Sequence, residues 1–202
     1  MPHKEKIINY LDSLDISAEK IGAVNTILKI DGLLKGYNTD YFGAKKALEN
    51  TAIKNREVLM VGAGGVAKAI GFAVKDLGGK LTICNRDYNR AQSLCKLLNA
   101  NNLAYDKLNS ANGYLLINAT SVGMNAPTEM IVDDSTIENF DVVMDSVIYP
   151  ANTKILNIAK NKGKRIVPGT LMCVYQAAEQ FKIYTGFDAP GKIVKRTIKA
   201  FK

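Results

Sequence analysis

The chain has 202 residues, a formal net charge of +8 and a hydrophobic fraction of 47%. This length supports a substantial core, but no apolar run approaches the ~20 residues of a membrane span, and residues 1–6 lack the apolar segment of a signal peptide. The basic residues are dispersed rather than gathered in a stripe, so we expect a solvated, lysine-rich surface without a nucleic-acid partner.

The predicted elements of the first quarter of the chain are a helix, a hairpin and a second helix. Residues 5–14 carry apolar side chains at helical spacing. Residues 24–30 and 33–37 predict two strands joined by a tight turn at Asp31-Gly32. A helical pattern then begins at Asp40, which is also a good N-cap residue.

Beyond residue 50, apolar strands alternate with helices. Strands are expected to end near residues 61, 84, 118, 145 and 167, and residues 171–184 and 191–201 predict two closing helices. This alternation predicts an α/β fold with a doubly wound, Rossmann-like parallel sheet at roughly residues 50–168.

The most informative segment is the glycine-rich turn after the strand that ends at Val61. In a dinucleotide-binding unit, Gly62 makes the tight turn, Gly64 lets the backbone approach a pyrophosphate, and Ala67 takes the third small position. The pyrophosphate then lies at the N-terminus of the following helix. We therefore expect dinucleotide binding, although a bare strand-to-helix turn can also use glycines.

The residues after the next strand bear on which dinucleotide is bound. Asn85 is followed by Arg86, and Arg90 comes one helical turn later. Two guanidinium groups suit a 2′-phosphate and favour NADP. Asp87 opposes this assignment, since it caps the next helix or lies near the ribose and weakens the discrimination.

The cysteine and histidine contents narrow the possible chemistry. Cys84, Cys95 and Cys173 lie far apart without metal-ligand spacing, so we expect reduced thiols, a cytoplasmic location and no bound metal. His3 is the only histidine. Proton transfer is therefore sought among lysine, carboxylate and tyrosine side chains.

Several polar motifs are distributed over the whole chain: Met1-Pro-His-Lys4, Ala23-Val-Asn-Thr26, Gly36-Tyr-Asn-Thr-Asp40, the glycine turn, Asn85-Arg86, Asn118-Ala-Thr-Ser-Val-Gly-Met124 and Gly169-Thr-Leu-Met172. Taken together, they resemble the shikimate dehydrogenase family. The resemblance implies an enzyme that reversibly reduces 3-dehydroshikimate to shikimate with NADPH. It also implies a small substrate domain, a Rossmann domain and a cleft between them.

The resemblance assigns catalytic and substrate-binding residues. Lys4 and Asp40 match the catalytic pair of the family, and Asn25, Tyr149 and Gln176 match its substrate-binding positions. The roles also make chemical sense, because a lysine ammonium stabilises and protonates the oxygen of a reduced ketone. Read without the resemblance, Lys4 is a solvated lysine and Asp40 a helix cap. Likewise Asn25 bonds the hairpin backbone, Tyr149 is a core aromatic residue, and Gln176 faces solvent.

The remaining matches lie on the cofactor side. Thr120 and Ser121 follow a predicted strand, and Val147 and Gly169 match positions where the family contacts the nicotinamide half of the cofactor. The full set of expected cofactor-binding residues is Gly62, Ala63, Gly64, Gly65, Val66, Asn85, Arg86, Arg90, Thr120, Ser121, Val147, Gly169 and Met172. We expect a domain remnant at residues 1–48, an NADP-binding domain at 49–168 and closing helices at 169–202. A homodimer is a possible assembly.

The sequence also departs from the family. The family carries a substantial segment ahead of the catalytic lysine, including a Ser-x-Ser motif for the substrate carboxylate, whereas Met1 falls immediately before the Pro-x-Lys match. The hairpin at 24–37 is therefore expected to lack strand partners. Two alternatives stay open: a quinate/shikimate dehydrogenase that uses NAD, which Asp87 supports, and a nucleotide-binding module without catalysis.

Overall fold

A computed structural model describes residues 3–126 and 128–201. The elements of the N-terminal part are a 3₁₀ turn at Lys6–Tyr10, β1 (Ser13–Leu14), α1 (Ile16–Ile21), β2 (Thr26–Ile30), β3 (Leu33–Tyr37) and α2 (Thr39–Leu48). The order β1-β3-β2 forms a small sheet in which β2 and β3 are antiparallel and β1 is parallel to β3.

The hairpin prediction is confirmed, but two expectations about this region are wrong. Residues 5–14 do not form one helix, because the 3₁₀ turn buries none of its residues and the chain then extends into β1. The hairpin does not lack a partner, since Ser13 and Leu14 pair with Lys35 and Gly36 of β3. A strand of two residues forms because of this pairing with β3, since two residues are too few to show a strand pattern in the sequence.

The rest of the chain forms the predicted parallel sheet. Its elements are β4 (Glu57–Val61), α3 (Gly65–Asp76), β5 (Lys80–Cys84), α4 (Tyr88–Leu98), β6 (Asn101–Leu103), β7 (Leu115–Asn118), α5 (Asp134–Glu138), β8 (Val142–Asp145), α6 (Lys154–Asn161), β9 (Arg165–Pro168), α7 (Gly169–Thr185) and α8 (Gly191–Ala200). The strand order is β6-β5-β4-β7-β8-β9 and every pairing is parallel.

This order confirms the doubly wound fold. From β4 the chain builds outward first through β5 and β6, then returns to the other side through β7, β8 and β9. The core lies on both faces of the sheet: Val58 and Met60 pack with α3 on one face, whereas Leu59 and Val61 face the other. The crevice of such a sheet opens at the carboxyl ends of β4 and β7, where the order reverses.

The N-terminal part is joined to the parallel sheet chiefly through α2, which packs against α7 and α3. A Cβ at Gly43 of α2 would lie 2.5 Å from the carbonyl oxygen of Met172 in α7, so this close approach requires glycine. Tyr41 of α2 donates a hydrogen bond to Asp76 of α3 at 2.5 Å, and Lys20 of α1 contacts the same carboxylate. These contacts hold the N-terminal part against the helices that flank the crevice.

Helix ends agree with the expected domain boundaries, which stay a prediction: α2 ends at Leu48 and α7 begins at Gly169. No helix among the described residues is long and apolar enough to cross a membrane.

Candidate active site

A cavity of about 890 Å³ lies where the N-terminal part meets the carboxyl ends of the parallel strands. It is bounded by the loops that follow β4, β5, β7 and β8, by α2 and α7, and by Lys4. The predicted site residues on its wall are Lys4, Asp40, Gly62, Ala63, Gly64, Val66, Asn85, Arg86, Thr120, Ser121, Val147, Gly169, Met172 and Gln176. Residues that resemblance assigned to catalysis and to cofactor binding therefore share one cavity.

A chain of polar contacts runs from Lys4 and Asp40, which lie on the cavity wall, to Asn25, which is not among the lining residues. The Lys4 ammonium donates to Oδ2 of Asp40, and Asn25 Nδ2 donates to Oδ1 of the same carboxylate at 3.0 Å. The carbonyl oxygen of Lys4 also accepts from the backbone N–H of Val24, which fixes the lysine beside Asn25. The Asp40 side chain is 10% exposed and the Lys4 side chain 26%. The ammonium is thus held in place by a largely buried carboxylate while it still faces the cavity.

Asp40 does not cap α2, so that alternative is wrong. The N-cap is Asn38, whose side chain accepts from the backbone N–H of Tyr41 at 3.3 Å. Asp40 lies in the first helical turn, where the positive end of the helix dipole favours a carboxylate. Its two oxygens are used by Lys4 and Asn25 instead of by the helix backbone.

The three predicted substrate residues have different surroundings. Gln176 of α7 lies on the cavity wall, as its spacing from Met172 suggested. Asn25 donates to Asp40 and accepts from the backbone N–H of Thr39 at 2.9 Å, so it orients the Asp40 carboxylate as well as contacting the start of α2. Tyr149 is 83% exposed and lies outside the cavity wall. It is not a core aromatic residue, and its contact with substrate stays a prediction.

The glycine turn has the geometry that dinucleotide binding requires. Gly62 has φ +123°, and a Cβ there would lie 2.5 Å from the carbonyl oxygen of Ala119. A Cβ at Gly64 or Gly65 would meet no atom within 4 Å. Gly64 is the N-cap of α3 and provides no side-chain cap. The start of α3 therefore has open space beside it and no side-chain cap, which suits a pyrophosphate.

The two arginines expected at the 2′-phosphate line two different cavities. Asn85 and Arg86 line the main cavity, whereas Gly65 and Arg90 line a neighbouring cavity of about 610 Å³ on the other side of the glycine turn. Asp87 caps α4 by accepting from the backbone N–H of Arg90 at 3.1 Å. Its other oxygen lies 3.3 Å from Nε of Arg90. Arg86 is thus the guanidinium presented to the main cavity, and Asp87 restrains Arg90.

The residues that follow two further strands also lie on the cavity wall. Thr120 and Ser121 follow β7, and Val147 follows β8. A Cβ at Gly169, the first residue of α7, would lie 2.4 Å from the carbonyl oxygen of Val147. Only glycine allows α7 to begin this close to the loop after β8.

Sequence reasoning missed Cys173, which lies on the cavity wall beside Met172. Burial, together with the nearby negative charge of Asp40, raises the pKa of the Cys173 thiol and keeps it protonated. Reasoning also missed the buried pair Asn118 and Asp145. The available signal was that each is a polar residue closing an apolar strand.

Comparisons with known proteins agree with this geometry. Three family models match successive parts of the chain: a shikimate dehydrogenase substrate binding domain at residues 1–27, shikimate/quinate 5-dehydrogenase at 43–149, and a shikimate 5′-dehydrogenase C-terminal domain at 169–199. The NADP⁺-dependent shikimate dehydrogenase of Pyrococcus abyssi is 39% identical over 97% of this chain and 74% of its own length. The chain belongs to the shikimate dehydrogenase family.

Solved structures of the family have the same fold. Shikimate dehydrogenase of Thermus thermophilus, in complex with NADP(H) and shikimate, has a TM-score of 0.88 and 31% identity, covering 100% of this chain and 77% of that chain. Quinate dehydrogenase of Corynebacterium glutamicum, in complex with NAD, has a TM-score of 0.90 and 28% identity. The match covers 98% of this chain and 75% of that chain. The first of these structures holds NADP(H) and the second holds NAD.

No group of three or more His, Cys, Asp and Glu side chains within the described ranges is arranged to hold a metal ion. The site of this shikimate dehydrogenase family member is instead built from one ion pair, amide side chains and backbone N–H groups.

Proposed function

We propose that the protein is an NADP-dependent shikimate dehydrogenase that reversibly reduces 3-dehydroshikimate to shikimate. The observation that carries the proposal is the shared cavity, whose wall includes both the Lys4–Asp40 pair and the glycine turn with Arg86. Relatives named as NADP⁺-dependent shikimate dehydrogenases, 39% and 40% identical to the chain, support it.

The residues present fit the cofactor. The open space at Gly64 and Gly65 accommodates a pyrophosphate at the start of α3, and Arg86 offers a guanidinium to a 2′-phosphate. NADPH supplies the hydride when it is bound.

The chain itself supplies the proton. As the ketone is reduced, negative charge develops on its oxygen, and the Lys4 ammonium stabilises that charge and donates a proton. Asp40 holds the ammonium in place, and Asn25 in turn orients Asp40. Lys4 is 26% exposed, so it regains its proton from solvent. Gln176 provides an amide that donates to and accepts from hydroxyl groups on the substrate ring.

The proposal is tested with Lys4→Ala. The rate of NADPH oxidation with 3-dehydroshikimate is followed by absorbance, and NADP(H) binding is measured by titration calorimetry. Because the lysine acts mainly in the transition state, we expect kcat to fall about 100-fold or more while NADP(H) affinity is retained. Lys6→Ala, an exposed lysine two residues away, is the control. Near-normal turnover by Lys4→Ala would contradict this assignment.

A second candidate is an NAD-using quinate/shikimate dehydrogenase. The contact of Asp87 with Arg90 favours it, because a carboxylate at this strand end repels a 2′-phosphate and occupies one of the two arginines. Steady-state rates with NAD and NADP, each with shikimate and quinate, separate the two. A higher kcat/KM with NAD and quinate would support the second candidate.

We also infer a cytoplasmic location, which the three free cysteines support. A homodimer stays a prediction.

A further inference from the structure

A buried polar pair joins the carboxyl ends of β7 and β8 behind the cavity wall. Asn118 and Asp145 are register partners across the two strands. Asn118 is 1% exposed and Asp145 is fully buried. The Asn118 Nδ2 donates to Oδ1 of Asp145 at 3.0 Å.

Asn118 reaches forward into the loop that follows β7. Its Oδ1 accepts from the backbone N–H of Thr120 at 3.0 Å and from the Thr120 hydroxyl at 2.6 Å. Its Nδ2 also donates to the carbonyl oxygen of Val122 at 3.0 Å. Thr120 and Val122 lie on the cavity wall, so this one amide determines the path of the loop there.

Asp145 makes corresponding hydrogen bonds to the loop that follows β8. Its Oδ1 accepts from the backbone N–H of Val147 at 3.0 Å, and its Oδ2 accepts from the hydroxyl of Thr153 at 2.6 Å. Val147 lies on the cavity wall and its carbonyl oxygen meets the start of α7 at Gly169. The pair therefore connects three segments that line the cofactor side of the cavity.

We propose that Asn118 and Asp145 are positioning residues for cofactor binding: their hydrogen bonds fix the loops after β7 and β8 relative to each other. This inference rests on the proposed function, because it assumes that the wall they hold is the one that contacts NADP(H). Neither side chain is among the residues lining the cavity, so both act through Thr120 and Val147.

The role of Asp145 is geometric rather than electrostatic. In the part of the chain that the structure describes, its hydrogen-bond partners are an amide, a backbone N–H and a hydroxyl, and no cation pairs with it. Asparagine can reproduce this arrangement: its oxygen accepts from Asn118 and Val147, and its NH₂ donates to Thr153, whose hydroxyl then accepts. Leucine has a similar size but removes the acceptor of all three hydrogen bonds, so that the Val147 N–H, the Thr153 hydroxyl and one N–H of the Asn118 amide lose their partner in a buried site.

The test compares Asp145→Asn with Asp145→Leu in the full chain. Titration calorimetry with NADP⁺ gives both the dissociation constant and the fraction of protein that binds. We expect Asp145→Asn to stay within about threefold of the wild-type dissociation constant, and Asp145→Leu to bind at least about tenfold more weakly. Asp141→Asn, an exposed aspartate just before the same strand, is the matched control and should bind as the wild type does.

A merely structural role would lower the binding-competent fraction but leave the dissociation constant unchanged. That result, or an Asp145→Asn variant that binds as weakly as Asp145→Leu, would overturn the inference. Should Asp145→Leu fail to fold, Thr153→Val removes a single hydrogen bond, and we expect it to weaken NADP⁺ binding by about threefold. A Thr153→Val variant with wild-type affinity would overturn the inference. Failure of the wild type to bind NADP⁺ at all would overturn the proposed function, and this inference with it.

Discussion

At the level of single residues, the two arginines after β5 are not equivalent. Arg86 faces the main cavity, whereas Arg90 faces its neighbour and lies 3.3 Å from Asp87. A guanidinium already paired with a carboxylate gains less from a phosphate than a guanidinium that faces the cavity, because the existing contact must first be exchanged. We therefore expect the proposed 2′-phosphate site to be asymmetric.

We predict that Arg86→Ala weakens NADP⁺ binding more than Arg90→Ala does. A hydrogen bond to a charged group contributes about 1.5–3 kcal/mol, so Arg86→Ala should lower the NADP⁺-over-NAD⁺ preference about tenfold or more. Dissociation constants for both cofactors, measured by calorimetry, check the prediction. Arg196→Ala, an exposed arginine on α8, is the control. Equal losses for Arg86→Ala and Arg90→Ala would show that the two guanidinium groups act alike.

The site illustrates how far sequence reasoning reaches at this scale. Gly62 and Gly64 could be predicted from their position between an apolar strand and a helix. Lys4 and Asp40 could be predicted only through resemblance, because a terminal lysine and an aspartate near a helix start have commoner roles. The Asn118–Asp145 contact joins residues 27 positions apart and depends on the register of two strands, which no local pattern encodes.

At the scale of elements, three helices converge on Asp76. Burial of this carboxyl favours a raised pKa, but hydrogen bonds from Lys20 and Tyr41 and the charges of Lys20 and Lys45 outweigh it, so the pKa of Asp76 is lowered. Burial, and secondly the hydrogen bond and negative charge of Asp76, raise the pKa of the Tyr41 hydroxyl, which stays protonated. The cluster therefore joins α1, α2 and α3 most strongly when Asp76 is ionised.

The lowered pKa of Asp76 sets the direction of a pH effect. A carboxyl whose folded-state pKa is depressed adds stability above its unfolded-state pKa of about 3.9 and loses it as the pH falls through the folded value. We predict that Asp76→Asn lowers the free energy of unfolding by about 1 kcal/mol at pH 7, a modest value because the site is partly exposed. The difference from the wild type should shrink below about pH 4.

Urea unfolding of both proteins at pH 7 and at pH 3.5 measures the effect. Asp188→Asn, which removes an exposed partner of Lys182, is the control and should change stability little. A deficit for Asp76→Asn that grows as the pH falls would contradict the assigned sign.

The contact between α2 and α7 gives a second prediction at this scale. Gly43→Ala would place a methyl group 2.5 Å from the carbonyl oxygen of Met172 and 3.0 Å from Cβ of Gln176. We expect overpacking to lower the free energy of unfolding by about 1–3 kcal/mol. Displacement of Gln176 should also raise the KM for shikimate more than the KM for NADP⁺.

Gly191→Ala is the matched control, because a Cβ there would meet no atom within 4 Å. Thermal unfolding and steady-state kinetics measure both effects. An unchanged shikimate KM in a destabilised Gly43→Ala protein would mean that the contact supports the fold alone.

Element prediction succeeded where a pattern is long and self-contained. The strands β4, β5, β7, β8 and β9 and the helices α7 and α8 could be located within a few residues from apolar runs and helical spacing. The short strands β1 and β6 could not, because two or three residues carry no readable period and form only by pairing with β3 and β5. The helical spacing of residues 5–14 misled because the chain turns after Tyr10.

For the whole molecule, cofactor binding should be visible as stability. A ligand that binds only the folded state at 100 times its dissociation constant adds about 2.7 kcal/mol to the free energy of unfolding. We predict that NADP⁺ at that concentration raises Tm by about 5–10 °C, a range typical of a chain of this size. Differential scanning calorimetry measures the shift.

The same scan with Arg86→Ala at equal NADP⁺ concentration should give a smaller shift, since less of the protein is bound. Equal shifts from NAD⁺ and NADP⁺ in the wild type would favour the NAD-using alternative. The absence of any shift with either cofactor would contradict dinucleotide binding.

The glycine contact between α2 and α7 also bears on how this enzyme could be redesigned. One helix carries Asp40 and the other carries Gln176, and Gly43 holds them so close that neither backbone can move without the other. A mutant library that alters α7 to accept a different ring would therefore displace Asp40, and with it the Lys4–Asp40 pair, unless α2 varied with it. A change in substrate range would then also change turnover, and selection for a new substrate should recover paired substitutions in the two helices.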